Sequence, residues 1–145
     1  MAVLFEYKDI DKRIEYKPVI GKLIKDLIVT EGKKSGEIVV IFTSNEEILR
    51  INKSFLNHSY YTDVITFPEV KRDKISGEIY ISLDQVEENS RDLKTLFLDE
   101  VTRVVIHGVL HLIGYNDQND LEKSVMRKKE DHYLCRFKEV DFIRK

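Results

Sequence analysis

An α+β fold, with a single mixed sheet of about four strands covered by helices, is predicted by three observations. Short Val/Ile-rich runs alternate with helix-period runs in the first half of the chain, and helix-period runs dominate the second half. A length of 145 residues with 42% hydrophobic content suffices for one core without cross-links, so one domain over 1–145 is expected.

The elements follow in order. Val3 to Tyr7 forms a first strand. Tyr16 to Val29 carries Val19, Ile20, Leu23, Ile24 and Leu27 at helical spacing, with Pro18 acceptable in a first turn and Gly32 beyond the end. Glu37 to Thr43 is a Val/Ile-rich strand, after which Ser44 and Glu47 have the spacing of a capping box and open a helix through Ile48, Leu49, Ile51 and Phe55. Asp63 to Phe67 and Glu78 to Leu83 are two more strands, separated by a charged connection with Pro68 and Gly77 at its ends. Asp84 and Glu87 repeat the capping pattern ahead of a polar helix toward Leu93, Leu96 to Ile113 is an apolar helix, and Leu121 to Phe137 is a last amphipathic one. Neither a repeat nor a low-complexity linker interrupts them.

Charge narrows the function. Lys and Arg number 24 against 26 Asp and Glu, a balance that argues against a generally basic nucleic-acid binder, and no DNA partner is expected. Lys33–Lys34, Lys71–Arg72 with Lys74, and Arg127–Lys128–Lys129 are short enough to be expected as solvated faces. The lone Cys135 excludes an internal disulfide and suits a reducing compartment. With neither a basic leader nor about 18 consecutive uncharged apolar residues, the protein is expected to be soluble, cytoplasmic and free of membrane.

The stretch that carries chemistry is HGVLHLIGYND, His107 to Asp117. Two histidines four apart lie one above the other on a helix, but four histidines alone would produce such a pair by accident in about 8% of compositions. More telling, projection of the helix gathers Glu100, Arg103, His107 and His111 within an arc of about 80°, opposite Leu98, Val101, Val105, Val109 and Leu112. Gly114 then permits a left-handed stop that turns the chain and brings Asp117 toward the two rings. A solvated histidine pair is the alternative; the apolar helix, the glycine stop and the following acid together favour a metal site on this central helix of the C-terminal half.

Two imidazoles and a carboxylate leave a coordination position open, which is the arrangement of a catalytic site, with one zinc ion as the default occupant. Such an ion lowers the pKa of a coordinated water from about 15.7 toward 7. Gly108 stands where an HExxH zinc peptidase keeps its general base, so peptide hydrolysis is disfavoured and phosphodiester cleavage fits better. His107 and His111 are the candidate catalytic residues together with Arg103, which either supplies a cation for the developing charge or pairs with Asp99 or Glu100.

Together with TDVITF at Thr62 to Phe67 and SGEIYIS at Ser76 to Ser82, in that order, this stretch resembles the bacterial YbeY-type endoribonuclease family over roughly Ile51 to Met126. The resemblance implies a metal-dependent, usually zinc, single-strand endoribonuclease acting in maturation of the 3′ end of small-subunit ribosomal RNA and in ribosome quality control. Its partners would be ribosomal RNA precursor and the small ribosomal subunit or assembly factors. The family's two helical histidines and the third histidine after the glycine correspond to His107, His111 and Asp117, the last a change of ligand type, with Asp120 as fallback. The family's arginine ahead of its TDV-like segment corresponds to Leu56, with Arg103, Arg50 or Lys53 as candidate replacements. His58 is either an RNA contact or a surface histidine, His132 is expected at the surface, and Thr62 and Asp63 either fix the histidine rings or cap a turn.

Two other readings stay open on the residues. One is a ribosome-assembly binding module whose metal is mainly structural. The other is a non-haem iron oxygenase, ranked low because its two-histidine, one-carboxylate set normally sits in a β-rich barrel rather than on a helix.

Overall fold

The computed structural model describes residues 2–55, 62–71 and 73–144. In chain order these form β1 (Val3–Tyr7), α1 (Lys17–Thr30), β2 (Lys34–Thr43), α2 (Asn45–Phe55), β3 (Val64–Lys71), β4 (Lys74–Ser82), α3 (Leu83–Leu93), α4 (Phe97–Ile113) and α5 (Asp120–Arg144). The sheet runs β1-β2-β4-β3, with β1, β2 and β4 parallel and β3 antiparallel to β4. The α+β fold with one mixed, helix-covered sheet is therefore what forms.

Two sequence expectations are corrected by the way the strands pair. Pro68 and Gly77 do not bound a connection: β3 runs through Pro68 to Lys71, β4 begins at Lys74, and Pro68 pairs with Gly77 inside the hairpin. Proline is tolerated there because β3 is an edge strand. Gly77 has φ +153°, and a Cβ at this position would lie 2.5 Å from the Phe67 carbonyl oxygen, so the close strand approach requires glycine. Likewise β2 begins before Glu37, because Lys34 and Ser35 already pair with Lys74 and Ile75 ahead of a register shift.

The helix caps are also redistributed. Ser44 Oγ accepts from the Glu47 N–H at 3.3 Å as expected, but the Glu47 carboxylate turns to Lys8 and Arg50 instead of returning to the cap. α3 is capped by Ser82, which accepts from the Gln85 N–H at 3.1 Å, two residues ahead of the predicted cap. Asp84 accepts from the Asn45 N–H and so completes the start of α2, a tertiary contact that no local pattern encodes.

Ile38, Val40, Phe42, Ile79 and Ile81 join α1, α4 and α5 residues in the main core, while Ile65, Ile48 and Ile51 form a smaller cluster with Phe67 and Tyr80. Since Ile79 and Ile81 alternate with Tyr80 along β4, α2 covers the opposite face of the sheet. α4 is the central helix, with Val101, Val105, Ile106, Val109 and Leu110 fully buried. Its backbone comes so close to β4 that a Cβ on Gly108 would sit 2.8 Å from Ile79 Cγ2. Among the described residues no helix is long and apolar enough to cross a membrane.

Candidate metal centre

α4 buries most of its circumference and leaves one stripe for chemistry. His107 and His111 occupy that stripe, their side chains 22% and 24% exposed. At its end Gly114 adopts φ 124°, and the N–H groups of Gly114 and Tyr115 return to the Leu110 carbonyl at 3.1 and 3.0 Å, so the chain reverses as glycine stops require. The reversal delivers Asp117 to the rings. The two Nε2 atoms are 3.0 Å apart, and Asp117 Oδ2 is 3.3 Å from that of His107 and 3.5 Å from that of His111.

These separations fit a metal. With metal–ligand distances near 2.0–2.1 Å, ligand atoms of a tetrahedral ion stand about 3.3 Å from one another. Among the described residues, His107, His111 and Asp117 form the group whose ligand atoms all lie within 4.8 Å of each other. Asp120, the fallback ligand, is exposed at the start of α5 and takes no part.

A residue not anticipated from the sequence orients the first ring. His107 Nδ1 lies 2.6 Å from Glu130 Oε2, and because a carboxylate only accepts, Nδ1 carries a proton and Nε2 is the ring nitrogen turned toward the cluster. Glu130 is 8% exposed and its other oxygen accepts from Arg103 at 3.1 Å, while the second Arg103 nitrogen donates to Asp131 at 2.8 Å. Arg103 is thus paired with α5 and not with Asp99 or Glu100. Burial pulls the His107 pKa down, but the Glu130 hydrogen bond and the negative charges of Glu130, Asp117 and Asp63 outweigh it and leave the pKa above its usual value. Burial pushes the Asp63 carboxyl up, against the opposing pull of His107.

The cluster opens into a cavity of about 490 Å³ between α3, α4, α5 and β3. Asp63, Glu100, Asp117 and Glu130 line it against two guanidiniums, Arg103 and Arg127. Arg50 lies elsewhere, bonded through Nε and Nη2 to both Glu47 oxygens, and the exposed Lys53 is not among the lining residues. Leu56 and His58 lie outside the described residues, and His132 is exposed, edge-on to the Tyr133 ring. Thr62 and Asp63 line the cavity, yet the recorded partner of His107 Nδ1 is Glu130. One sequence signal could have found Glu130: with Met126, Tyr133, Leu134 and Phe137 it falls on the buried stripe of α5, where an unpaired carboxylate would be costly.

Comparison with known proteins identifies relatives of the whole chain. A family model described as Endoribonuclease YbeY matches residues 5–138. Curated proteins of the same description include one from Parabacteroides distasonis, 41% identical over 93% of this chain and 95% of its own length. Another, from Chlorobaculum tepidum, is 42% identical over 88% and 93%. A solution structure of a Thermotoga maritima protein superposes with a TM-score of 0.64 at 29% identity, covering 91% of this chain and 86% of the other.

Proposed function

This chain belongs to the Endoribonuclease YbeY family, and from that premise we propose a single-strand-specific endoribonuclease that depends on one zinc ion held by His107, His111 and Asp117. Its substrate in this reading is ribosomal RNA precursor, cut in maturation of the small-subunit 3′ end and in ribosome quality control, in the cytoplasm and in contact with the small ribosomal subunit or assembly factors. The chain itself is an endoribonuclease, and the details of metal, substrate and partner are the proposal.

One observation carries it: two imidazole nitrogens and a carboxylate oxygen converge at 3.0–3.5 Å on the wall of an open cavity. Such a cluster is satisfied only by a proton or a cation between its members. A bound divalent ion supplies Lewis-acid polarisation of a phosphoryl oxygen and a nucleophile near neutral pH. The chain's own groups do the rest. Glu130 accepts from His107 Nδ1 and so orients the ring with Nε2 toward the position an ion would take.

Arg103 is assigned to the charge that develops on the attacked phosphate, using the N–H groups that Glu130 and Asp131 leave unused. The charge of the lining supports the same reading. Four carboxylates against two guanidiniums repel a phosphodiester, and two positive charges among them would bring the wall to formal neutrality. Purified protein is expected to cleave single-stranded RNA and to lose that activity on chelation and in His107→Ala. Cleavage that persists in the presence of a chelator would refute the proposal.

The alternative of an assembly module with a mainly structural metal draws on the same acid excess and on the pairing of Arg103 with α5. Ligand variants that keep ribosome association and fully complement a deletion strain would decide for it. The iron-oxygenase alternative is set aside by the family and by a site built on a helix.

A further inference from the structure

Asp117 reaches the histidines from residues 114–119, a segment that is neither helix nor strand, so its position depends on what anchors the turn. The anchor stands outside the cavity. Tyr115, two residues before Asp117, donates its hydroxyl to Glu31 Oε1 at 2.5 Å. Tyr133 of α5 donates to Glu31 Oε2, also at 2.5 Å, and Lys129 Nζ lies 3.2 and 3.0 Å from the two oxygens. Glu31 itself follows α1, where its N–H closes on the Leu27 carbonyl, and its side chain is only 7% exposed.

A nearly buried carboxylate is costly unless its lone pairs are filled, and here two hydroxyls and an ammonium fill them. Burial raises the Glu31 pKa, but the hydrogen bonds from Tyr115, Tyr133 and Lys129 outweigh it and hold the carboxyl below its ordinary value. The group is therefore a charged hub joining three segments: the end of α1, the turn after α4 and α5. Two residues span at most about 7 Å, so fixing the Tyr115 hydroxyl restricts where Asp117 can go. Lys129 and Glu130 are adjacent on α5; the first grips the hub beneath the turn and the second grips His107. The helical ligand and the turn-borne ligand are thereby referenced to the same point of α5.

We propose that Glu31 is a positioning residue: through Tyr115 it fixes the turn that carries Asp117 and so sets the metal affinity of the site without touching the ion. This rests on the reading of His107, His111 and Asp117 as metal ligands. Removing an outer-shell partner typically costs 10–100-fold in affinity. Zinc and cobalt affinities are measured by competition with a chromophoric chelator, alongside the Tm of the metal-free protein and the visible spectrum of the cobalt form.

Tyr115→Phe is expected to weaken both metals by about 10-fold or more and to alter the cobalt bands as Asp117 withdraws. Tyr133→Phe removes an equal hydrogen bond from the same carboxylate but on α5, and is expected to lower Tm while leaving affinity within about threefold. Glu31→Gln should show both effects. Tyr115→Phe binding zinc as tightly as the unmodified chain would overturn the proposal, and so would equal loss of affinity in both tyrosine variants, since the hub would then act through stability alone. An unmodified chain that binds neither metal would sink the metal centre itself, a failure visible before any variant is made.

Discussion

Two cavities of this molecule differ in a way that size alone would misjudge. The larger, about 750 Å³, lies beyond the C-terminal ends of the parallel strands and is lined by Asp9, Asp11, Lys12, Ser44, Glu47, Arg50 and Asp84 among others. Several of its charges are already matched: Glu47 is held by Lys8 and Arg50, Lys12 pairs with Glu87, and Asp84 and Ser44 cap α2. In the smaller one the Nε2 atoms and the Asp117 oxygen face each other with only a proton to share. Polar groups that converge without partners are what an ion can satisfy, which is why the proposed chemistry is assigned to that side.

The strongest test sets the two against each other. His111→Ala is expected to cut single-strand RNA cleavage by more than about 100-fold, whereas Glu47→Gln should leave the rate within about twofold and lower only stability. Cleavage assays on both, each checked for folding by circular dichroism, measure the contrast. A comparable loss in the Glu47 variant would make the larger cavity part of the active site.

Next comes the support of His107. Glu130→Gln keeps the volume but lets an amide face Nδ1 and weakens the hold on Arg103, so zinc affinity should fall by about 10–100-fold. Isothermal titration decides it; unchanged affinity would mean that the helix alone orients the ring.

How much of this was legible depended on how local the cause was. His107, His111 and Asp117 could be named because helix period, glycine stop and acid all lie within eleven residues of sequence. Glu130 and Glu31 were missed because their partners are 23 and 84 or more positions away, and a carboxylate in a charge-rich chain attracts no notice. Gly108 was seen only as the absence of a base. Its other role is packing, since a Cβ there would press on the Ile79 side chain at 2.8 Å. Lys129 was expected on a solvated face and instead serves the buried hub. The Asp84 cap was misassigned by the same rule, since its true partner, Asn45, lies across the sheet end.

The cavities should also answer pH in opposite directions. Glu47 is held at about 2, chiefly by the Arg50 hydrogen bond, against an ordinary 4.5. Its contribution is thus present above about 4.5 and lost as pH falls toward 2. His107 has a raised pKa, so its contribution in metal-free protein is complete below its ordinary 6.5 and is lost as pH rises through the folded value. Thermal unfolding of metal-free protein across pH should show Glu47→Gln flattening the acid limb and Glu130→Gln flattening the neutral one. If each variant flattened the other's limb, the assignment of charges to cavities would be wrong.

The smallest effect probes whether the larger cavity is only architecture. Asp84→Ala removes the acceptor for the Asn45 N–H while Ser44 still caps the Glu47 N–H, so α2 loses one of two side-chain caps. That should cost about 1 kcal/mol, measured by urea denaturation, with RNA cleavage and zinc affinity unchanged. Because α2 covers the face of the sheet opposite α4, a change that stays confined to stability would show that the two faces are energetically separable. A loss of cleavage from this variant would instead couple the start of α2 to the metal cleft through β4, whose Tyr80 belongs to one core cluster and whose Ile79 meets Gly108 in the other.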